Sequence, residues 1–114
     1  MIEIKNFSAS DKEFKECARI DNLVQHDSVN HPDDDKNSWK IRDRSIIRNR
    51  LLLYQNNILI GVIYYSQGRS ENKRTCFYTL HLDPQCNNLG YRKLLNNKML
   101  DQVKNFNCNL VHTS

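Results

Sequence analysis

The sequence predicts a single α+β (α/β) domain whose mixed, mostly antiparallel sheet is flanked by helices, in the order β-α-α-β-β-β-α-β. Segments rich in β-branched and aromatic residues alternate with segments whose apolar residues recur at helical spacing. Two of the extended segments are almost continuously apolar, which is typical of strands covered on both faces. At 114 residues the chain can bury one core, so residues 1–114 are interpreted as one domain.

The composition is that of a globular protein, with 39% hydrophobic and 26% charged residues. A mean hydropathy of -0.74 without a long apolar run excludes a membrane span, and no secretory leader is visible, so we expect a cytoplasmic protein. Cysteines without a C-x-x-C pair predict reduced, mostly buried thiols rather than zinc: Cys17, Cys76, Cys86 and Cys108. The net charge of +4 suits either a nucleic acid or a polyanionic small molecule.

The alternation of Ile2 and Ile4 with charged residues predicts a first strand at about residues 2–7. Ser10 and Glu13 have the spacing of a capping box, which predicts the start of a helix. The expected apolar face of this helix comprises Phe14, Cys17, Ala18, Leu23 and Val24. The polar segment 26–36 contains histidines and aspartates without a recognised metal-ligand spacing, so we interpret it as an exposed connection.

Asn37 or Ser38 is expected to cap a second helix that continues to about Asn49. Its core candidates are Trp39, Ile46 and Ile47, and its expected exposed arginines are Arg42, Arg44, Arg48 and Arg50. A basic helix suits nucleic-acid binding, but an arginine-rich face is more often only solvated, and Asp43 interrupts the run. Nucleic acid is therefore the disfavoured partner.

Two strands are predicted at Leu51–Tyr54 and Ile58–Tyr65. They are joined by a tight turn that contains Asn56 and Asn57, because asparagine tolerates positive φ. Gly61 interrupts the second strand, where the missing side chain is expected to mark a bulge or a close approach.

The stretch from Thr75 to Phe106 predicts a strand, a loop and a helix. Thr75–Leu82 is rich in strand-forming residues and is ended by Asp83-Pro84. From Gly90 the apolar residues fall on one helical stripe: Tyr91, Leu94, Leu95, Met99, Val103 and Phe106. A loop that leads into a helix N-terminus leaves unpaired amides and a partial positive charge, which suit a phosphate. A short last strand is expected at about residues 109–112.

Leu80-His81-Leu82-Asp83-Pro84, with the residues that follow as far as Leu95, resembles the acyl-CoA-binding segment of the GCN5-related N-acetyltransferases (GNAT). In that family an apolar-x-apolar-x-Pro strand end precedes an Arg/Gln-x-x-Gly-x-Gly/Ala loop whose amides hold the CoA pyrophosphate. Asn87 takes the Arg/Gln place, Gly90 the first Gly and Arg92 the Gly/Ala place, so only Gly90 matches. The Arg92 side chain either pairs with a phosphate or blocks its approach. The element order is similar as well, and the resemblance covers nearly the whole chain.

The resemblance implies an N-acetyltransferase that moves an acetyl group from acetyl-CoA, its co-substrate, to an amine by direct attack on the thioester, without a metal. The implied cofactor-binding residues are Leu80, Leu82, Cys86, Asn87, Asn88, Leu89, Gly90, Tyr91 and Arg92. The family often has a glutamate base on the fourth strand, and no carboxylate is present there. His81 is the candidate base, and Tyr78 is the candidate acid beside Tyr64 and Tyr65, which could also supply a phenolic proton. A purely packing role is the alternative for each.

Family members usually continue past the fifth strand into a helix and a closing pair of strands. By this comparison the domain is C-terminally short, and we expect a homodimer that covers the open edge of the last strand. The alternative function is a catalytically inactive GNAT-like remnant that acts as a CoA-binding or dimerisation module.

Overall fold

The structure is a computed structural model that describes residues 1–25, 29–42, 44–68, 75–104 and 109–112. Its elements are β1 (Ile2–Asn6), α1 (Asp11–Val24), α2 (Pro32–Lys40), β2 (Arg48–Gln55), β3 (Ile58–Gln67), β4 (Thr75–Leu82), α3 (Leu89–Val103) and β5 (Asn109–His112). The predicted order of strands and helices is therefore confirmed.

The strands form one sheet in the order β1-β2-β3-β4-β5. The pairs from β1 to β4 are antiparallel, and β5 pairs with β4 in parallel, which confirms the mixed, mostly antiparallel sheet. The β2–β3 hairpin turns through Asn56 and Asn57, whose φ angles of 52° and 68° lie in the left-handed region that the sequence predicted.

Helices cover both faces of the sheet. Leu51, Leu52 and Leu53 of β2 are all fully buried, because successive side chains of a strand point to opposite faces and each face has its own core. On one face α1 packs through Phe14, Cys17 and Ile20 against Leu52, Leu59 and Val62. On the other face α3 packs through Leu95, Met99 and Val103 against Leu51, Leu53 and Ile63.

A bulge lies in β3 next to Gly61. Leu53 faces Gly61, but the next residue of β2, Tyr54, faces Leu59, so Ile60 has no partner on β2. A Cβ at Gly61 would lie 2.5 Å from Leu82 Cδ2, so the missing side chain gives room for Leu82 to pack closely over this position. The sequence prediction of a bulge or a close approach at this glycine is confirmed in both forms.

The capping box of α1 is present: Ser10 Oγ accepts from the Glu13 amide at 3.2 Å, and Glu13 Oε1 accepts from the Ser10 amide at 2.9 Å. The predicted apolar face of α1 was partly wrong, since Leu23 and Val24 are exposed. The buried face that contains Phe14 and Cys17 continues at position 21, because residues at this spacing lie on one side of a helix. Asp21 is therefore the residue that is buried there.

The boundaries of the second helix were also wrong. α2 begins at Pro32, inside the segment interpreted as a loop, because proline is well suited to the first helical turn and acidic residues there favour the helix dipole. It ends at Lys40, and Arg48 and Arg50 lie on β2. Arg50 is only 2% exposed, so the basic helix proposed for nucleic-acid binding does not exist. His26, in the same predicted loop, lies outside the described residues.

α3 begins one residue before Gly90 and buries Leu95, Met99 and Val103, as predicted, whereas Leu94 is exposed. Phe106, the last residue of the predicted stripe, lies outside the described residues. Among the residues that the structure describes, no helix has the length and apolar character needed to cross a bilayer.

Candidate functional site

The loop between β4 and α3 uses several of its own amides. A 3-10 turn at Pro84–Cys86 leads from β4, and the Cys86 amide donates to Asp83 O at 2.8 Å. Asn88 caps α3, and its Oδ1 accepts from the Tyr91 amide at 2.9 Å. The amides of Cys86 and Tyr91, both predicted for the phosphate site, are therefore already bonded within the chain.

The amides at the start of α3 remain available. No hydrogen bond within the described residues uses the amide of Asn88, Leu89 or Gly90, and all three residues are exposed. The first amides of a helix have no preceding turn to receive them, and the first turn of α3 contains no acidic side chain. Beyond its chain neighbours and its own helix backbone, a Cβ at Gly90 would meet Asn88 Oδ1, at 3.3 Å, and no other atom of the described residues, so the side-chain position of this glycine is open. The N-terminus of α3 is thus suited to binding an anion.

Arg92 folds back over this loop. Its Nε donates to Asn87 Oδ1 at 2.8 Å, which joins the two positions where the sequence departs from the family loop. The contact holds the guanidinium beside the helix start, where its charge has the same sign as the partial charge of the helix N-terminus.

The backbone N–H and C=O groups of successive residues in β4 point alternately towards β3 and towards the β5 side. At one end of the β3–β4 ladder the Gly68 amide donates to Thr75 O at 2.9 Å, and at the other end the Asp83 amide donates to Ile60 O at 2.8 Å. The register is unbroken between these two pairs. Hydrogen-bonded and non-hydrogen-bonded pairs alternate in an antiparallel ladder, so the odd-numbered residues of β4 bond to β3. The even-numbered residues direct their N–H and C=O groups towards the β5 side.

The β5 side of β4 is covered only in part. Within the described residues, β5 pairs with Thr75–Tyr78 and with no later residue of β4. Among the described residues, none pairs with the backbone groups that Leu80 and Leu82 direct to this side, and we call this stretch the open edge of β4. This edge lies at the end of β4 from which the chain continues to the free amides of α3, so the two sets of backbone groups follow each other along the chain.

The side chain of His81 lies on the α1 side of the sheet and is 6% exposed. Its Nδ1 is 2.7 Å from Asp21 Oδ1. The same carboxylate accepts hydrogen bonds from the Tyr64 hydroxyl, at 2.8 and 2.7 Å, and from Asn30 Nδ2, at 2.6 Å. Burial raises the pKa of Tyr64 far above its usual value, so its hydroxyl stays protonated and acts as the donor.

Arg50 forms a second buried polar pair behind this group. Its guanidinium donates to both Asp35 oxygens, at 2.9 and 2.5 Å. Burial alone would lower the pKa of Arg50, but the hydrogen bonds and charge of Asp35 raise it. The rings of four residues surround the guanidinium at 4.5 to 5.6 Å: Phe7, Tyr64, Phe14 and Trp39. Tyr64 is therefore held between Arg50 and Asp21.

Tyr78 and His81 are not brought together. They lie three residues apart on one strand, so their side chains point to opposite faces. The half-buried Tyr78 packs against the core on the α3 side, with its ring 5.1 Å from that of His112. Tyr78 is also the last residue of β4 that pairs with β5, so the open edge begins directly after it.

A cavity of about 200 Å³ lies on the same face as His81. Among the described residues that line it are two rows of side chains that run across the sheet in register: Arg48, Ser66 and Phe77, and Arg50, Tyr64 and Thr79. His81 stands in the next row along β4, and its ring is 5.8 Å from that of Tyr64. His81 is therefore one row away from the cavity, whose lining includes Tyr78, the last residue of β4 that pairs with β5.

Sequence reasoning missed Asp21, Asp35 and Arg50, because charged residues in amphipathic patterns were interpreted as solvated. Two signals were present. Asp21 falls seven residues after Phe14 on the apolar stripe of α1, and Arg50 shares the alternation of a strand with Leu52.

Solved structures give this arrangement its context. An N-acetyltransferase from Staphylococcus aureus Mu50 superposes with a TM-score of 0.75 at 13% identity, over 98% of this chain and 72% of that one. YncA from Salmonella typhimurium, solved with its cofactor acetyl-CoA, gives 0.75 at 15% identity, over 97% and 68%. A GNAT family acetyltransferase from S. aureus USA300_TCH1516 gives 0.70 at 19% identity, over 99% and 86%.

No protein-family model and no curated protein sequence matches the chain. The structural likeness nevertheless defines the class of fold. The chain has the fold of the GCN5-related N-acetyltransferases, which confirms the fold that the sequence resemblance implied.

Proposed function

We propose that the chain is an acetyl-CoA-dependent N-acetyltransferase that transfers an acetyl group to an amine by direct attack on the thioester. One observation carries the proposal: within the part of the chain that the structure describes, the amides at the start of α3 are free and adjoin the unpaired backbone of Leu80 and Leu82. Phosphates bind well at helix N-termini, and the amide-containing pantetheine arm can hydrogen-bond to a strand edge as an added strand does. The similar fold of YncA, which was solved with acetyl-CoA, supports this choice of ligand.

In this proposal the amides of Asn88, Leu89 and Gly90 bind the pyrophosphate, and Arg92 pairs with its oxygens. The backbone of Leu80 and Leu82 binds the pantetheine and the thioester. The remaining predicted cofactor residues, Cys86, Asn87 and Tyr91, shape the loop through their internal hydrogen bonds.

The two candidate catalytic side chains, His81 and Tyr78, lie on opposite faces of β4 and have different roles in the reaction. His81 takes a proton from the amine, whose nitrogen attacks the thioester carbonyl carbon. The N–C bond forms, and a backbone N–H of β4 stabilises the developing oxyanion. The C–S bond then breaks, and the CoA thiolate leaves with a proton from Tyr78. The acceptor enters through the cavity of about 200 Å³ that borders Tyr64 and Thr79.

Calorimetric titration tests the cofactor site. We expect micromolar binding of acetyl-CoA and weaker binding of ATP. Arg92→Ala should weaken acetyl-CoA binding by roughly tenfold or more, because a hydrogen bond to a charged group contributes about 1.5–3 kcal/mol. Lys93→Ala is the matched control, since Lys93 is an exposed cation on the next residue of α3 and should change the affinity little. Tighter binding by Arg92→Ala would mean that the side chain obstructs the loop, and no binding of acetyl-CoA by the wild-type chain would refute the site.

One observation favours the alternative, an inactive GNAT-like remnant that binds CoA or dimerises: Gly90 alone matches the family loop. A screen of amines for release of CoA thiol separates the two, because the remnant binds acetyl-CoA without turnover. The homodimer and the cytoplasmic location remain predictions, and light scattering over a range of concentrations tests the dimer.

A further inference from the structure

Asp21 is an unusual residue for the inner face of a helix. It is 7% exposed and lies on α1 among Phe14, Cys17 and Ile20. A buried carboxylate is strongly unfavourable unless hydrogen bonds and an opposite charge compensate it. Within the described residues its ion-pair partner is His81, and no lysine or arginine pairs with it. The buried carboxylate of Asp21 is therefore paired with His81, the candidate base.

The hydrogen bonds around Asp21 determine which ring nitrogen of His81 carries the proton. An ionised carboxylate only accepts hydrogen bonds. Tyr64 and Asn30 each donate to it, and the contact at 2.7 Å requires His81 Nδ1 to donate as well. Neutral histidine has one N–H, so the proton on Nδ1 leaves Nε2 as the acceptor.

Nε2 of His81 is accessible. Two side-chain atoms of the described residues are buried without a hydrogen-bond partner, Glu16 Oε1 and Asn96 Oδ1. Nε2 has no partner within the described residues either, yet it is not one of these buried atoms. The small exposed part of His81 thus includes the nitrogen that accepts a proton.

The other ionisable groups around His81 leave Asp21 as the decisive charge. On α1, burial raises the pKa of Cys17 to about 11, so its thiol is neutral. Tyr64 of β3 is neutral for the same reason. Arg50 of β2 and Asp35 of α2 offset each other. When His81 takes up a proton, the imidazolium therefore faces one uncompensated negative charge.

We infer that Asp21 is a positioning residue that holds His81 with its proton on Nδ1, so that Nε2 faces the reaction as the base and the resulting imidazolium is stabilised. This inference rests on the proposed function for its catalytic consequence, but the tautomer is a property of the folded chain alone. Asp21 touches neither substrate nor cofactor in this scheme, and it acts through His81.

The tautomer is measured first, by long-range nitrogen–proton correlation spectra of the histidine rings in the wild-type chain. The spectrum of His81→Gln identifies the His81 signals among those of the four histidines. We expect neutral His81 to carry its proton on Nδ1. A proton on Nε2 in the wild-type chain would overturn the inference, and this measurement needs no variant that has to fold.

Asp21→Asn gives the second arm. A carboxamide can donate from its own nitrogen to Nδ1, which moves the ring proton to Nε2 and blocks the base. We expect this switch in the spectrum and a fall in kcat of roughly 100-fold or more, as for loss of a general base, with the KM for acetyl-CoA unchanged. The assay follows release of CoA thiol with ethanolamine, putrescine and glycinamide as amines. Asn30→Ala is the matched control, because it removes one donor to Asp21 and keeps the Asp21–His81 contact.

The outcomes separate the two claims. An active wild-type chain whose kcat is unchanged in Asp21→Asn overturns the inference and leaves the proposed function standing. A wild-type chain that has the Nδ1 proton but transfers acetyl to no amine refutes the proposed function. The conclusion that Asp21 determines the tautomer of His81 is then unaffected. An equal loss of kcat in Asn30→Ala, with the tautomer intact, also counts against a positioning role specific to Asp21.

Discussion

Breaking the Arg50–Asp35 pair should destabilise the fold strongly. Asp35→Ala removes both hydrogen bonds to a guanidinium whose side chain is 2% exposed, next to an aspartate side chain that is 13% exposed. Loss of one partner of a buried ion pair typically costs about 3–5 kcal/mol. The aromatic rings around Arg50 retain a cation–π contribution of about 0.5–2 kcal/mol, which favours the lower end of that range.

Urea unfolding followed by tryptophan fluorescence measures this loss, since Trp39 lies beside Arg50. With a slope of about 1–3 kcal/mol per molar urea, a loss of about 3 kcal/mol lowers the midpoint by about 1–3 M. Lys36→Ala is the control, because it breaks the exposed Lys36–Asp11 pair and should hardly move the midpoint.

A double variant tests the reasoning further. Arg50→Met with Asp35→Leu replaces the whole pair by apolar residues, which is often neutral or stabilising, so it should recover most of the loss. An equal urea midpoint for Asp35→Ala and Lys36→Ala, or a double variant less stable than Asp35→Ala, would refute this role of the buried pair.

Three other outcomes are expected. Gly61→Ala should cost about 0.5–1.5 kcal/mol in thermal unfolding, since its Cβ would lie 2.5 Å from a methyl carbon of Leu82, whose side chain must leave its present rotamer; an unchanged Tm would contradict this close contact. Burial alone would raise the pKa of Glu13, but hydrogen bonds from the backbone and the hydroxyls before α1 lower it, so its stabilisation is complete above pH 4.5 and is lost as the pH falls through the lowered value. Glu13→Gln should therefore flatten the acid limb of a stability-versus-pH curve. Alkylation of the half-buried Cys86, followed by peptide mapping, should slow when acetyl-CoA is bound, and an unchanged rate would argue against the loop as its site.

Local patterns predicted most of the architecture. The change of period after Thr75–Leu82 located β4 and α3, because strand and helix repeats differ over as few as ten residues. The boundary between α2 and β2 was wrong, since Arg48 and Arg50 were assigned to a solvated helix face. Burial of Arg50 depends on Asp35 and on rings from three other elements, and no local pattern contains that information.

The candidate site was predictable to the extent that it lies on one continuous stretch. Leu80, His81, Leu82 and the start of α3 were singled out from their order in the chain. Asp21 was not, because it meets His81 across 60 residues of sequence. Spacing along the chain indicates which residues share an element, whereas the partner of a buried histidine is set by how α1 lies on the sheet.

The open edge of β4 consists of main-chain groups, which every residue other than proline supplies alike. Substitutions at Leu80 and Leu82 that keep the strand extended leave the same N–H and C=O groups in place, so this surface constrains the sequence very little. Insertion of one residue into β4 would be far more disruptive, since it would exchange the roles of neighbouring positions and turn the imidazole of His81 to the α3 face. A surface of this kind permits wide sequence drift under a constant fold, in keeping with identities of 13 to 19% beside TM-scores of 0.70 to 0.75.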